Sequence, residues 1–287
     1  MMARGLLAFG LYSAAALLGM GAIAQPVPEG VVKQFAPTGQ LRVAVLMVTY
    51  FALEDKGSGE LKGSGELKGS GELKGSGELK GVVPDLGREL GRRLGVPVEL
   101  IKFSNPIAVI DAFKDGRVDV TFIGITADRA AAFDFGPVVL DLQTTYLVPG
   151  SSSITAIAEI DQAGVRLLVP TRSAQEAHLK KTLTKATIIN VAVENPKQAV
   201  EILARGEADA FSHVVPMLVS AQAGLPGSRI LPGSYYNVPI AIGYAKERPL
   251  VADYARRFGD EVKASGFVQA SLDRAGDSVK GVVVAEK

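Results

Sequence analysis

The sequence predicts an α/β protein of two similar lobes, one after the other, joined by crossing strands. Apolar runs of strand length alternate with helix-length segments, which in these lengths means parallel βαβ units. A local pattern occurs twice: Phe113-Lys114-Asp115-Gly116-Arg117-Val118-Asp119-Val120 and Leu203-Ala204-Arg205-Gly206-Glu207-Ala208-Asp209-Ala210. Each copy reads helix end, Gly, two residues, Asp, strand. Finally, Thr144–Val148 and Val238–Tyr244 read as strands that leave and return between the two halves.

The chain opens on an export signal. Arg4 supplies the positive start, Gly5 to Leu18 are almost wholly apolar, and Ala22-Ile23-Ala24 is an A-x-A cleavage site. Residues 1–24 are therefore expected to be a cleaved signal peptide, with an uncleaved anchor as the alternative. The first strand is Leu41–Val48. Asp85–Leu94 follows as a helix with Leu86, Leu90 and Leu94 on one face, weakened by Gly87 and Gly91. Strand Val98–Ile101, a helix opened by Pro106, and strand Val118–Ile123 complete the first unit. In the second, strand Val165–Val169 precedes Ser173-Ala174-Gln175-Glu176, a capping box. Strand Ile188–Val193, a helix capped by Asn195-Pro196, and strand Ala208–Phe211 follow. Helices Leu250–Lys263 and Val268–Arg274 rejoin the first lobe. Lobe 1 is thus expected over 25–142 plus 240–276 and lobe 2 over 150–234, with 277–287 a flexible tail.

One segment breaks the pattern. Gly57-Ser58-Gly59-Glu60-Leu61-Lys62 occurs four times in tandem and ends at Lys80. Its spacing misses both nucleotide-binding glycine patterns, and Glu60 would repel a phosphate. Lengthening a turn from about 8 to about 26 residues costs on the order of 1 kcal/mol in closure entropy, so insertion 57–80 reads as a tolerated expansion. A flexible lip over the cleft is the alternative.

Composition excludes several classes. The chain has 31 Lys and Arg against 30 Asp and Glu, and Arg4 is the only charge in the leader, so the remainder is formally neutral. There is no polybasic run, and nucleic acid is not an expected partner. The absence of Cys rules out a lipid-anchoring cysteine, disulfides, Cys-based zinc sites and thiol nucleophiles. No metal or cofactor is expected.

Arg129 is the leading candidate for function. It follows Gly124-Ile125-Thr126-Ala127-Asp128 at the end of an apolar strand, where ligands bind in open α/β sheets. A guanidinium is the side chain best matched to a carboxylate. On local sequence alone it reads first as a surface cation paired with Asp128 or Asp134.

Five landmarks then resemble the bacterial extracellular solute-binding proteins of family 3, the periplasmic partners of polar amino-acid ABC importers. They are Gly39-Gln40-Leu41-Arg42-Val43, Gly81-Val82-Val83-Pro84-Asp85-Leu86 with Arg93-Leu94-Gly95-Val96, Gly116-Arg117-Val118-Asp119, Ile125-Thr126-Ala127-Asp128-Arg129, and Lys263-Ala264-Ser265-Gly266-Phe267. The resemblance implies a two-lobed periplasmic-binding-protein-like (type II) fold, with two parallel-type sheets flanked by helices and joined by two crossing strands. It implies a periplasmic monomer that closes on a small carboxylate-bearing ligand and hands it to membrane permease subunits. In this family the Arg matching Arg129 binds the ligand carboxylate, with Gly124 and Thr126 offering backbone N–H groups and Ser173 contributing from lobe 2.

Departures limit the ligand. The acid expected five residues after Asp209 is Val214, so the ammonium end of an amino-acid site is missing. His213 beside it could accept from an ammonium, or serve only structure. Arg172 replaces the usual Gly before Ser173 and could narrow the cleft or add an anion contact. Tyr50 or Phe51 could stack on a ligand side chain, or pack in the core. A competing reading is an enzyme on the same fold, similar to cyclohexadienyl dehydratase, with His178 and His213 as titratable candidates; His178 is expected to face solvent. A sensor or scaffold without ligand is a third.

Overall fold

The computed structural model describes residues 26–48, 50–55, 61–62, 72–73, 78–191 and 196–286. The leader, most of the repeat array and the Asn195 cap lie outside these residues. In chain order the first elements are α1 (Glu29–Phe35), β1 (Leu41–Leu46), β2 (Leu53–Asp55), β3 (Leu61–Lys62), β4 (Glu72–Leu73), β5 (Glu78–Lys80) and α2 (Val82–Leu94). Next come β6 (Val98–Phe103), α3 (Pro106–Lys114), β7 (Val120–Gly124), α4 (Ala127–Ala132) and β8 (Asp134–Val148). The second half holds β9 (Arg166–Pro170), α5 (Ala174–Thr182), β10 (Thr187–Val191), α6 (Pro196–Ala204), β11 (Ala210–Val214), α7 (Val215–Ala223) and β12 (Arg229–Ile230). The chain returns through β13 (Tyr236–Tyr244) to α8 (Pro249–Ala264), α9 (Phe267–Ala275) and β14 (Val282–Val284).

Local chemistry accounts for these elements. Leu86, Leu90 and Leu94 bury one face of α2. Gly87 and Gly91 lie where the helix meets the sheet: a Cβ at Gly91 would stand 2.1 Å from Val98 Cγ2. The glycines that weaken the helix are what let it approach. Asn105 caps α3 by accepting from Ala108 N at 2.9 Å, with Pro106 in the first turn.

Among the described residues eleven strands form one sheet in the order β10-β9-β11-β8-β13-β7-β1-β6-β4, with β12 and β14 also paired to β8. The two expected sheets are therefore continuous, because β8 is 15 residues long and belongs to both lobes. Within each lobe the first strand lies between the next two and parallel to both, β6-β1-β7 and β10-β9-β11. Strand β7 ends at Gly124, opposite Ile240 of β13, which in turn faces Leu140 of β8. Strand β11 runs the other way and ends with Val214 opposite Thr144. The carboxyl ends of both parallel halves thus point at one junction, about four residues or roughly 13 Å apart along β8.

The repeated Gly-x-x-Asp motif acquires a structural meaning here. Asp119 accepts from Arg42 Nε at 2.8 Å and Nη2 at 2.9 Å, while Arg42 Nη1 donates to Gly116 O at 2.6 Å. In lobe 2, Asp209 accepts from Arg166 Nε at 3.1 Å and Nη2 at 2.9 Å, and the same guanidinium donates to Gly206 O at 2.7 Å. Each carboxylate also accepts the backbone N–H of its Arg. One bidentate clamp per lobe ties the first strand to the entry of the third.

Two elements differ from expectation. The chain after Phe211 continues as strand and then as α7, whose apolar residues on all sides leave no period to read. Residues 277–287 are not a loose tail over their described part. Val282, Val283 and Val284 pair with Leu142, Asp141 and Leu140, because β8 has a free edge there once β11 has ended. Just before them Gly281, at φ 77, passes so close to Val215 that a Cβ would stand 2.5 Å from its Cβ.

His213 sits in β11 with its ring edge-on to Phe211, the centroids 5.6 Å apart. Its Nδ1 accepts from Val214 N at 2.8 Å, while the buried Nε2 has no hydrogen-bond partner among the described residues. It is a core residue, and burial pushes its pKa down from 6.5 to about 4.

Three outcomes follow from this architecture. Asp119 is fully buried and is also held by Arg248 at 3.1 Å, whereas the Asp209 side chain is one-third exposed. Asp119→Asn should therefore cost about 3 kcal/mol or more in chemical denaturation, for a buried pair broken on one side. Asp209→Asn should cost nearer 1 kcal/mol, for a pair partly in solvent; equal losses would refute this account. The unfolded chain takes up a proton at His213 as pH falls below about 6.5, and the folded chain only near 4. Stability contributed by the neutral ring is thus complete above that window and lost through it, so thermal melts of His213→Leu should show a shallower decline between pH 7 and pH 4.5. Finally, β5 pairs with β2 through Leu53↔Lys80, Glu54↔Leu79 and Asp55↔Glu78. Deleting residues 57–74 leaves that hairpin a turn of about four residues, a common length. The deletion also removes the two-residue pairings of β3 with β2 and β4 with β6, so the shortened chain should lose little stability, and a large loss on a melting curve would mean that the extra copies support the lobe.

Candidate functional site

At the end of β7 the chain turns through Gly124, Ile125 and Thr126 into α4. Thr126 Oγ1 accepts from Arg129 N at 3.4 Å and so caps the helix. The Arg129 side chain folds back toward the strand end, and its Nη1 donates to Gly124 O at 2.6 Å. A Cβ at position 124 would stand 3.1 Å from that nitrogen, so glycine leaves the guanidinium its place. Among the described residues Arg129 forms no ion pair; neither Asp128 nor Asp134 is its partner. The guanidinium is largely buried, and this lowers its pKa to about 10 against the opposing influence of Tyr50 and Asp128. Tyr50 is its buried neighbour, with a phenol raised to about 12 by burial.

From lobe 2, β9 delivers Arg172 and Ser173 to the start of α5. Ser173 is the cap: its Oγ accepts from Glu176 N at 3.0 Å and donates to Pro170 O at 2.7 Å. Glu176 Oε2 accepts from Arg172 N, and Oε1 accepts from Asn190 Nδ2 at 2.9 Å and Lys180 Nζ at 2.7 Å. These contacts, that with Lys180 first, hold the Glu176 carboxyl below its ordinary range. Arg172 has φ 56, a left-handed conformation that costs a non-glycine residue of order 1 kcal/mol. The Glu176 contact to its N–H helps hold it there, and its side chain is free to project from the turn.

The two turns face each other across a cavity of about 620 Å³. Of the residues singled out in the sequence, Thr126, Arg172 and Ser173 line it. Ile125, Ala127 and Asp128 join them from lobe 1, with Ala174, Glu176, Ala177, His178, Lys180 and Lys181 from lobe 2 and Tyr236 from the crossing. Gly124 and Arg129 are not among the residues that line the cavity. Phe51 is a core residue, packed edge-on against Tyr50 with centroids 4.7 Å apart, and His213 lies within the core of lobe 2. His178 does not simply face solvent, as the sequence suggested. It stacks on Tyr236 at 4.5 Å and 20°, forming an aromatic wall of the cavity. The signal for it was available: Ala174, Ala177, His178 and Lys181 recur at helical spacing on one face of α5.

Val214, where an acid was expected, is buried in the same apolar cluster as Leu142, Val238 and Val282. Among the described residues no cluster of three or more His, Asp or Glu could hold a metal ion, and no helix is long and apolar enough to cross a membrane.

Comparison with known proteins agrees with this fold. No curated protein is significantly similar to the chain. Among solved structures, an ancestral amino acid-binding protein described as a precursor of cyclohexadienyl dehydratase is 21% identical, with TM-score 0.61, over 85% of this chain and 97% of its own. The solute receptor for L-cysteine of Neisseria gonorrhoeae is 18% identical, with TM-score 0.63, over 89% and 99%. An amino acid ABC transporter substrate-binding protein of Streptococcus pneumoniae, bound to L-arginine, is 16% identical, with TM-score 0.61, over 86% and 98%. These likenesses establish the fold. The profile of the bacterial extracellular solute-binding proteins, family 3, matches residues 71–275, well over half of the sequence. A chain with this fold, this cleft and this match is a binding protein rather than an enzyme, and it belongs to the bacterial extracellular solute-binding proteins of family 3.

Proposed function

We propose that the protein captures a small carboxylate-bearing polar solute between its lobes and presents it to the membrane permease of an ABC importer. The supporting observation is Arg129: a desolvated cation at a strand end, depressed in pKa, that forms no ion pair among the described residues. A ligand carboxylate supplies the missing charge, and a charge-assisted hydrogen bond of this kind contributes about 1.5–3 kcal/mol. Thr126, Ser173 and Arg172 bound the space that the ligand enters, and Tyr50 packs behind the guanidinium. Closure of the lobes about β8 and β13 brings both turns onto the solute. The leader is cleaved after Ala24, and the mature chain works as a monomer in the periplasm.

A thermal-shift screen of the mature chain against amino acids and other small carboxylic acids tests this reading. A true ligand at 100 times its Kd stabilises by about 2.7 kcal/mol, a shift of several degrees. Arg129→Ala should abolish the shift while leaving the unliganded melting point within a few degrees. If the shift survives in the variant, Arg129 is not the carboxylate anchor.

A further inference from the structure

The charges around the cavity select among carboxylates. Lobe 2 contributes Arg172, Lys180 and Lys181 to its lining. Lys180 is tied to Glu176 at 2.7 Å, whereas Arg172 and Lys181 form no ion pair with any described residue. Arg129, whose guanidinium is held to the Gly124 carbonyl at the end of β7, adds a fourth cation outside the lining. Among the lining residues the three cations of lobe 2 face two carboxylates, Glu176 and Asp128, an excess of one positive charge to which Arg129 adds a second.

An ammonium group would need an acceptor here, and the acceptors are largely engaged. Both Glu176 oxygens are occupied by Lys180, Asn190 and the Arg172 N–H. Ser173 Oγ already donates to Pro170 O and accepts from Glu176 N. The end of β11, the lobe 2 strand that runs into the junction, presents Val214, closed over by apolar neighbours. Asp128 alone among the lining acids is uncommitted. It is exposed at the rim and adjoins Arg129 in sequence, so its charge already acts on the guanidinium.

Resting on the proposed carboxylate-binding role, we propose that the ligand is a small dianionic acid, of the dicarboxylate class, that carries no α-ammonium. One carboxylate answers Arg129 in lobe 1 and the other answers Arg172 and Lys181 in lobe 2. Such a ligand also links closure to charge: only when both lobes contribute their cations are both carboxylates neutralised.

Matched pairs differing only by the amino group give the test. Succinate and L-aspartate, glutarate and L-glutamate, and the monoanion butyrate are titrated into the mature chain by calorimetry at pH 7. The expected result is that succinate or glutarate binds at least tenfold more tightly than its amino counterpart and than butyrate. Arg172→Gln and Lys181→Gln should each weaken the dianion at least fivefold. Tighter binding of the amino partner would overturn the inference, identify Asp128 as an ammonium acceptor and leave the carboxylate-binding role standing. The dianion proposal alone also falls if none of these five binds while another carboxylic acid of the wider screen does. Silence from every carboxylic acid tested would overturn both.

Discussion

Two bidentate ion pairs set the geometry on which the rest of this protein depends. In each lobe an Arg at the start of the first strand is held to the Asp that begins the third, and to the Gly carbonyl three residues before it. A parallel sheet has no hairpin to fix its register, so strands distant in sequence must be pinned by side chains or by packing. Here Arg42–Asp119 and Arg166–Asp209 pin the amino ends, and the carboxyl ends then emerge level with one another. Because β8 runs through both lobes, the two sets of ends oppose each other, and the turns that follow them enclose the cavity.

Much of this was legible in the chain. Alternation of apolar runs with amphipathic segments marked the parallel units, and the repeated Gly-x-x-Asp marked their equivalence, although its role as an ion-pair anchor needed the Arg partners, 77 and 43 residues earlier in sequence. What escaped notice had physical reasons. The first two-thirds of β8 carries Gly136 and Pro137, which argue against a strand, yet the segment is paired by β13 with register shifts near Ile240 and Ala241 that absorb the irregularity. Helix α7 is apolar all round. Strand β14 is three valines long, and only the vacant edge of β8 gives it a partner.

The site was half readable for a related reason. Thr126, Ser173 and Arg172 stand at strand ends, where position alone suggests function, and they do meet across the cavity. His178 and Tyr236 meet through a contact between helix and crossing strand, and that juxtaposition exists only in three dimensions. Arg129 remains the site's most informative residue because of its surroundings: a guanidinium withdrawn from water beside a tyrosine and a carbonyl is an incomplete arrangement. Its glycine neighbour is part of the same device, since any side chain at position 124 would press on it.

The tandem segment carries a different lesson. Strand β5 is the Glu78-Leu79-Lys80 of the final copy; Leu79 is buried, its carbonyl accepts from Arg88 Nη2 at 2.8 Å, and Gly81 leaves by a conformation with φ 125. Every copy spells the same triplet, so whichever copy is last supplies an identical strand. Duplication or loss of a whole unit upstream therefore leaves β5 and its pairing with β2 unchanged, and touches only the two-residue strands β4 on β6 and β3 on β2. A change in repeat number at this point alters the length of the chain while leaving every residue that lines the cavity in place.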